Sequence, residues 1–276
     1  MSEHPRMLHI VTVHFRSPQW IEIQTRHLRE NIAVPYETWT SLEGIDASYG
    51  SYFDHVLEQR GSHAAKLNHL AMEVSHVADD DDLLMFLDGD AFPIADPMPL
   101  IEDALERAPL LAVRRAENAD EPQPHPCFCV TTVGIWRSLP GDWTAGRTWT
   151  GPHGNPTSDV GGNLLRKLEL TDTPWVQVLR SNASDIDPLY FALYGPIYHH
   201  GAGFRTGELS PAHRAAAPRP LPVPRNPLAR AARNLVNGLR WRAWERATQR
   251  RHIRQSQQMF ERIKRGGSDW LEELRR

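Results

Sequence analysis

Two carboxylates stand one residue apart in Asp88-Gly89-Asp90, directly after the apolar run at residues 83–87. An apolar run bounded by charge is typical of a strand buried on both faces of a sheet, so both carboxylates are expected at the carboxyl edge of that sheet. Carboxylate oxygens suit Mg²⁺ or Mn²⁺, which complete their coordination shell with substrate phosphates. The motif therefore predicts a divalent-cation site for a diphosphate, with Gly89 letting the ligand approach the backbone. The alternative is an acidic turn without a ligand.

The elements that must position these carboxylates alternate between strands and helices. Strands are predicted at residues 8–15, 36–41, 83–87, 110–113, 127–133, 176–179 and 196–200. Helices are predicted at residues 17–29, from Ser62, after Asp96-Pro97 and at residues 159–170. This alternation indicates an α/β fold with a mostly parallel, twisted sheet flanked by helices. The acidic run at residues 79–82 precedes its strand and is interpreted as a solvated loop.

The bulk composition is that of an ordinary globular protein. The chain has 276 residues, 40% of them hydrophobic and 24% charged, which suffices for one large domain and an appendage. No apolar stretch approaches the ~20 residues that a membrane-spanning helix needs. The first residues lack the basic and apolar regions of a signal peptide, so we expect a cytoplasmic protein. Cys127 and Cys129 are expected to be reduced core residues, because a structural zinc site wants a second pair.

The formal net charge of −3 combines an acidic part, residues 1–212, with a basic part from His213 to the end of the chain. We predict a catalytic domain at residues 1–211, a proline-rich linker at 212–227 and a basic amphipathic helical extension at 228–276. The extension is expected either to lie on an anionic membrane, at the inner face, or to pack on the acidic domain or a second subunit of a homodimer. Nucleic acid is disfavoured as its partner, because no recognition module accompanies the charge.

At the acidic pair the sequence resembles the GT-A class of glycosyltransferases, whose signature is an apolar strand that ends in D-x-D. Residues 61–68 (GSHAAKLN) are similar to a segment that lies near the nucleotide in this class. Residues 157–166 (TSDVGGNLLR) are similar to the acceptor-side helix, and residues 198–205 (YHHGAGFR) to a late histidine-glycine segment that supplies a third metal ligand. The resemblance spans residues 8–205. Where the class commonly has Glu-Asp at the acceptor helix, this chain has Ser158-Asp159, which leaves the base assignment open.

The resemblance implies transfer of a sugar from a nucleoside-diphosphate-sugar, with a UDP-sugar favoured, to a hydroxyl of a glycan, lipid-linked or small-molecule acceptor. A bound Mn²⁺ or Mg²⁺ would neutralise charge on the leaving diphosphate. The expected metal ligands are Asp88, Asp90 and His200. His200 is preferred to His199 because it adjoins the glycine turn, and strand alternation leaves one of the two histidines merely packed.

Further residues are expected around the donor and the acceptor. Asp159 is the candidate general base of an inverting reaction, and its alternative role is that of a helix N-cap. Lys66 is equally consistent with a solvent-facing position on its helix. The expected donor-binding residues are Thr12, His14, Lys66, Asn68, Asp88, Gly89, Asp90, Gly203 and Arg205. The expected acceptor-binding residues are His153 and, as surfaces for stacking on a sugar ring, Trp143 and Trp149; the tryptophans assigned to the core are Trp20, Trp136 and Trp175.

Other functions are compatible with parts of the pattern. A phosphatase of the haloacid-dehalogenase type also uses D-x-D after a buried strand, but places it near the first strand and follows it with Thr or Val, whereas Ala91-Phe92 follow here. A nucleotidyltransferase would need a glycine-rich phosphate loop that residues 14–17 do not provide. A non-catalytic protein that binds a nucleotide or an anionic surface through the basic extension is the third alternative.

Overall fold

The computed structural model describes residues 6–118, 120–151, 155–183, 190–201 and 217–275. The chain divides into two compact units. Unit 1 comprises residues 1–182 and 191–199, and unit 2 comprises residues 183–190 and 200–276. The neighbouring histidines His199 and His200 therefore belong to different units.

Strands and helices alternate along the first unit, as the sequence predicts. The strands are β1 (Leu8–Phe15), β2 (Tyr36–Glu43), β3 (His55–Val56), β4 (Leu83–Asp88), β5 (Ala91–Pro93), β6 (Leu110–Val113), β7 (His125–Thr132), β8 (Trp149–Thr150), β9 (Pro156–Thr157), β10 (Val176–Val178), β11 (Ala192–Tyr194) and β12 (Ile197–His199). The α-helices are α1 (Ile21–Asn31), α2 (His63–Val77), α3 (Met98–Arg107), α4 (Val133–Ser138), α5 (Gly162–Leu170), α6 (Pro227–Arg265) and α7 (Asp269–Arg275). Short 3-10 helices occupy Pro18–Trp20 and Ala47–Tyr52.

The main sheet of the described chain has seven strands in the order β10-β6-β7-β4-β1-β2-β3. Parallel pairs join β1 to β2 and β4, β2 to β3, and β6 to β10. Only β7, which lies between β4 and β6, pairs antiparallel with its neighbours in this sheet. The predicted α/β fold, with a mostly parallel sheet flanked by helices and a C-terminal helix, is confirmed.

Strand β4 is buried on both faces, as its unbroken apolar run predicts. Met85 and Leu87 pack in the layer that contains residues of α1 and α3, whereas Leu84 and Phe86 pack in the layer that contains residues of α2, α4 and α5. Burial of one such side chain contributes about 1.5–3 kcal/mol, so packing on both faces holds the strand firmly. The backbone of Asp88, the last residue of the strand, is consequently held in a fixed position.

Helix starts follow local capping chemistry at two of the predicted sites. The Ser62 hydroxyl accepts a hydrogen bond from the Ala65 amide at 3.2 Å, which caps α2. The Asp96 carboxylate accepts one from the Met98 amide at 3.0 Å at the start of α3. These side chains satisfy amides that have no partner inside the helix.

A second, antiparallel sheet with the strand order β11-β12-β5 was not predicted. Its strands are three residues long, which is too short for an alternating pattern to be recognised in the sequence. β5 begins directly after Asp90, and His199 of β12 pairs in register with Ala91 of β5. This small sheet therefore brings a distant histidine to the acidic motif.

Several smaller predictions have clear outcomes. Cys127 and Cys129 are free and buried on β7, as expected. The acidic run at residues 79–82 is a loop whose first three residues are exposed, as expected. Its last residue, Asp82, is half-buried and accepts hydrogen bonds from the amides of Met7 at 2.8 Å and Asp79 at 3.0 Å. Among the described residues, no helix combines the length and apolar character needed to cross a membrane.

Candidate metal centre

Asp88, Asp90 and His199 converge at the carboxyl end of β4. One potential ligand atom from each lies within 4.8 Å of the other two. His199 Nε2 is 3.4 Å from Asp90 Oδ1 and 3.6 Å from Asp88 Oδ2. Ligands that share an ion at bond lengths of about 2.1 Å lie at comparable separations, and two carboxylates with one imidazole form a suitable donor set. The side chains present therefore fit one divalent cation.

The histidine in this cluster is His199, whereas the sequence analysis chose His200. His199 ends β12, and the pairing of that strand with β5 brings its ring to the aspartates. His200 belongs to unit 2, where its Nε2 lies 2.7 Å from Ser256 Oγ. Strand alternation predicted that one of the two histidines would be merely packed, and the cluster found among the described residues contains His199. The register between β12 and β5, which decides which one, has no signal in the sequence.

Three imidazoles surround the carboxylate of Asp88. His63, the first residue of α2, donates a hydrogen bond from Nε2 to Asp88 Oδ1 at 3.0 Å. Burial alone would raise the pKa of Asp88, but the His63 hydrogen bond and the charges of His63, His125 and His199 outweigh it and hold that pKa well below its usual range. Asp88 therefore stays ionised, with Oδ1 bound to His63 and Oδ2 turned towards His199.

His125 and His199 differ in their electrostatic surroundings. Burial, followed by the charge of Arg115, lowers the pKa of His125 well below its usual value, and its Nδ1 accepts a hydrogen bond from the Cys127 amide at 3.1 Å. Burial also opposes the charged form of His199, but the charge and hydrogen bond of Asp90 and the charge of Asp88 outweigh it and raise the pKa of His199. His63 was not assigned a role, although it stands in the segment at residues 61–68 that resembles the GT-A class, and His125 was missed because it stands in no motif that the sequence reveals.

Gln24 of α1 holds the backbone on both sides of the acidic motif. Its Nε2 donates to the carbonyl oxygens of Asp88 at 2.8 Å and Ala91 at 2.7 Å. Its Oε1 accepts from Thr12 Oγ1 at 3.2 Å and lies 3.1 Å from His14 Nε2. Thr12 and His14, which were expected to meet the nucleotide, are instead fully buried partners of Gln24. Their observed contacts position the turn that carries the aspartates.

Gly89 is required by packing inside the protein. A Cβ at this position would lie 2.6 Å from the Val13 carbonyl oxygen and 2.7 Å from His14 Nδ1. Both distances are far below van der Waals contact, so a side chain would push the turn away from the end of β1. Gly89 was expected to let a ligand approach the backbone, and the atoms that approach it in the structure belong to β1.

Lys66 is buried, with only 2% of its surface exposed. Its ammonium forms an ion pair with Glu43 at the end of β2 and lies 5.0 Å from the centre of the Phe15 ring. The solvent-facing interpretation is therefore wrong. The contacts that the structure shows join α2 to the ends of β1 and β2.

Asn68 and Trp143 hold the loop that follows α4. Asn68 Nδ2 donates to Asp142 Oδ1 at 2.8 Å, and its Oδ1 accepts from the Trp143 amide at 2.9 Å. The Trp143 ring is fully buried, 4.9 Å from the Phe86 ring, and so presents no face to a sugar. Trp149, on β8, is half-buried. The predicted site residues His153, Gly203 and Arg205 lie outside the described residues.

Asp159 is tied to the vicinity of the metal cluster through Arg115. Its Oδ2 is 3.2 Å from Arg115 Nη2, and its Oδ1 accepts from the Val160 amide at 2.8 Å. Helix α5 begins at Gly162 and has Gly161, at φ 89°, as its N-cap, so Asp159 is not the cap. Arg115 also pairs with the buried Glu121 at 2.7 Å, and its charge lowers the pKa of His125. The Asp159 side chain is 48% exposed and can meet a ligand from solvent.

No protein-family model and no curated protein sequence matches this chain. Among solved structures, the mannosyltransferase PcManGT of Pyrobaculum calidifontis, in complex with GDP-Man and Mn²⁺, is 15% identical at a TM-score of 0.37, over 52% of this chain and 48% of that one. The apo form of the glycosyltransferase GlyE of Streptococcus pneumoniae TIGR4 is 12% identical at a TM-score of 0.40, over 63% and 45%. TarS 1-349 of S. aureus, in complex with UDP-GlcNAc, is 8% identical at a TM-score of 0.39, over 64% and 60%.

The chain thus spans about half the length of the solved structures that it matches. At these TM-scores and identities the likeness supports no statement about the function of this chain. Its function is therefore inferred from the geometry of the metal cluster and from the residues that form it.

The contact between His63 and Asp88 predicts an effect on metal affinity. Replacing His63 by Ala removes the donor that orients the Asp88 carboxylate, and loss of such a supporting hydrogen bond typically weakens a metal site about 10- to 100-fold. We expect the Kd for Mn²⁺, measured by electron paramagnetic resonance of the free ion, to rise by at least about tenfold. His76→Ala, at a 63% exposed side chain on the same helix, is the control. Equal affinities in both variants would show that His63 does not support the site.

The burial of His14 predicts a pH dependence of stability. Desolvation, only partly offset by the Gln24 hydrogen bond, lowers the pKa of His14 from 6.5 to about 4. Between these two pH values the unfolded chain binds a proton that the folded chain excludes, so stability is full above pH 6.5 and declines as the pH falls towards 4. Each proton taken up only by the unfolded state adds a slope of up to about 1.4 kcal/mol per pH unit.

The His14→Gln variant should therefore lose less unfolding free energy than the parent protein between pH 6.5 and pH 4. The measurement is urea unfolding followed by tryptophan fluorescence at several pH values. Part of the slope should remain, since desolvation also lowers the pKa of His27 to about 4. His76→Gln is the control, and slopes that coincide for the parent and His14→Gln would disprove the assignment.

Proposed function

We propose that this chain is a metal-dependent glycosyltransferase, which moves a sugar from a nucleoside-diphosphate-sugar to an acceptor hydroxyl. The observation that carries the proposal is the cluster of Asp88, Asp90 and His199 at the carboxyl end of a buried strand. In open α/β sheets ligands bind at that edge. The resemblance of the surrounding sequence to the GT-A class suggests the donor, with a UDP-sugar favoured.

The chain's own residues have distinct roles in this proposal. Asp90 and His199 would hold the cation directly, and Asp88 would present Oδ2 to it while His63 retains Oδ1. The imidazole among the ligands favours Mn²⁺ over Mg²⁺, because Mg²⁺ prefers an all-oxygen shell. A bound ion would supply neutralisation of the charge that develops on the leaving diphosphate. Gln24 keeps the two aspartates in a fixed relation while the donor binds.

On the acceptor side we assign Asp159 as the general base of an inverting transfer. Its carboxylate is half exposed and is held at one oxygen by Arg115, which leaves it accessible to a hydroxyl. Trp149 is the remaining described candidate for contact with an acceptor, which would be a glycan, a lipid-linked sugar or a small molecule. Arg115 would orient the base in relation to the metal cluster.

Metal-dependent donor binding is the first test. Isothermal titration with a panel of nucleotide-sugars should show binding in Mn²⁺ that disappears in chelator and in Asp90→Ala. His199→Gln should weaken it about tenfold or more, because a metal ligand is lost, whereas His200→Gln should leave it nearly unchanged. The two neighbouring histidines thus form a matched pair.

Tight donor binding that ignores chelator would contradict the proposal. Equal losses in His199→Gln and His200→Gln would contradict the assignment of the ligand. Hydrolysis of a simple phosphate ester, without binding of any nucleotide-sugar, would favour a phosphatase instead.

The role of Asp159 predicts a separation between binding and turnover. In Asp159→Asn the donor affinity should persist, while transfer to water, measured as release of the nucleoside diphosphate, should fall roughly 10²- to 10⁴-fold. Glu169→Gln, at another carboxylate that pairs with an arginine, is the control. Unimpaired turnover in Asp159→Asn would reject the base assignment.

A further inference from the structure

Helix α6 has two halves with different surroundings. Its C-terminal half buries one face in unit 2, where buried side chains recur every three or four residues. The buried residues are Thr248, His252, Ser256, Met259, Phe260 and Ile263. Its N-terminal half, up to residue 247, buries no side chain. Packing of the second half therefore holds the first half in place as an exposed helix.

The exposed half carries an apolar surface, which we call the leucine stripe and define as Leu228, Ala232, Leu235, Val236 and Leu239. The three leucines lie within about 40° of one another around the helix axis, given the 100° turn per residue. Their exposed fractions are 81% for Leu228, 67% for Leu235 and 57% for Leu239. No described residue of the chain covers them.

The stripe lies on a different side of the helix from Thr248, the first buried residue of the packed half. Leu239 and Thr248 are nine residues apart, which places them on opposite sides of the helix. On the side away from the stripe, Arg233 Nε donates to the carbonyl oxygen of Leu221, and Asn237 Oδ1 accepts from the Leu221 amide at 3.0 Å. The segment before the helix thus lies along the other side and leaves the stripe open.

Arginines surround the leucine stripe. Residues 225–254 contain nine arginines and one glutamate, Glu245. Arg242, Arg246 and Arg250 extend the line of the stripe along the helix, and Arg240 lies on its flank. All four side chains are exposed. A partner for this face must therefore bury the leucine side chains and present negative charge to the arginines beside them.

We propose that the N-terminal half of α6 docks on an anionic phospholipid surface. Lipid is the one partner that both buries the leucines among acyl chains and pairs the arginines with head-group phosphates. A second copy that docked through the same face would set arginines against arginines across the contact. A nucleic acid would pair with the arginines but would leave the leucines in water. The helix lies on the surface, because its apolar face is too narrow and too charged to span it.

The test is co-sedimentation of the full chain with vesicles. We expect binding to vesicles of equal parts phosphatidylglycerol and phosphatidylcholine, weaker binding at high salt and little binding to phosphatidylcholine alone. Leu235→Glu with Leu239→Glu should weaken binding about tenfold or more, since two buried contacts are lost. Val77→Glu with Leu170→Glu is the matched control, because it makes the same change of charge at two exposed apolar side chains of unit 1.

The possible results of this test either support or overturn docking on lipid. Equal binding by the two double variants, or no sedimentation of the parent chain with anionic vesicles, overturns the proposal. A lipid-free dimer that dissociates only in the stripe variant assigns the face to a second copy, and salt-sensitive RNA binding without vesicle binding assigns it to nucleic acid; both overturn the proposal. Circular dichroism checks the helix, and Leu235→Ser with Leu239→Ser replaces any variant that loses it. The assay contains no nucleotide-sugar, so its result is independent of the proposed transfer reaction.

Discussion

The side-chain amide of Gln24 makes four hydrogen bonds and joins three parts of unit 1: helix α1, the end of β1 and the turn after β4. Its donors fix the carbonyl oxygens on both sides of the acidic motif, and a buried amide whose bonds are all made resists displacement. Gly89 allows this turn to lie against the end of β1. The separation of the two aspartates thus depends on the buried Gln24 and on the lack of a side chain at Gly89.

The charges around this turn have a consistent logic. The half-buried carboxylate of Asp88 faces imidazoles, and a protonated imidazole can give up its proton when a cation binds, as an arginine cannot. Arg115 is placed one step further out, where it holds Asp159 and the buried Glu121. His199, whose pKa is raised, can therefore exchange a proton for a metal ion, while Arg115 keeps a permanent positive charge beside Asp159.

Where sequence patterns are local, the predictions agree with the structure. The apolar run of β1 was predicted to the residue, the acidic pair was placed at the end of a buried strand, and Ser62 was recognised at the start of α2. Roles that depend on distant partners were predicted poorly. Thr12, His14 and Trp143 were expected at a ligand but are buried, and Asn68 is half-buried. All four contact other parts of the protein, and nothing near them in the chain reveals those partners.

The sequence by itself determined the α/β alternation, the position of the acidic pair and the basic character of the last helix, because each follows from periodicity or composition within one segment. Only the tertiary structure decided which histidine joins the aspartates. That choice depends on the register of the three-residue strands β12 and β5, and a shift of one residue would turn His200 to the site instead of His199. The contacts of His63 and Gln24 with the motif likewise arise from segments far apart in the chain, which meet only after the sheet and its helices have packed.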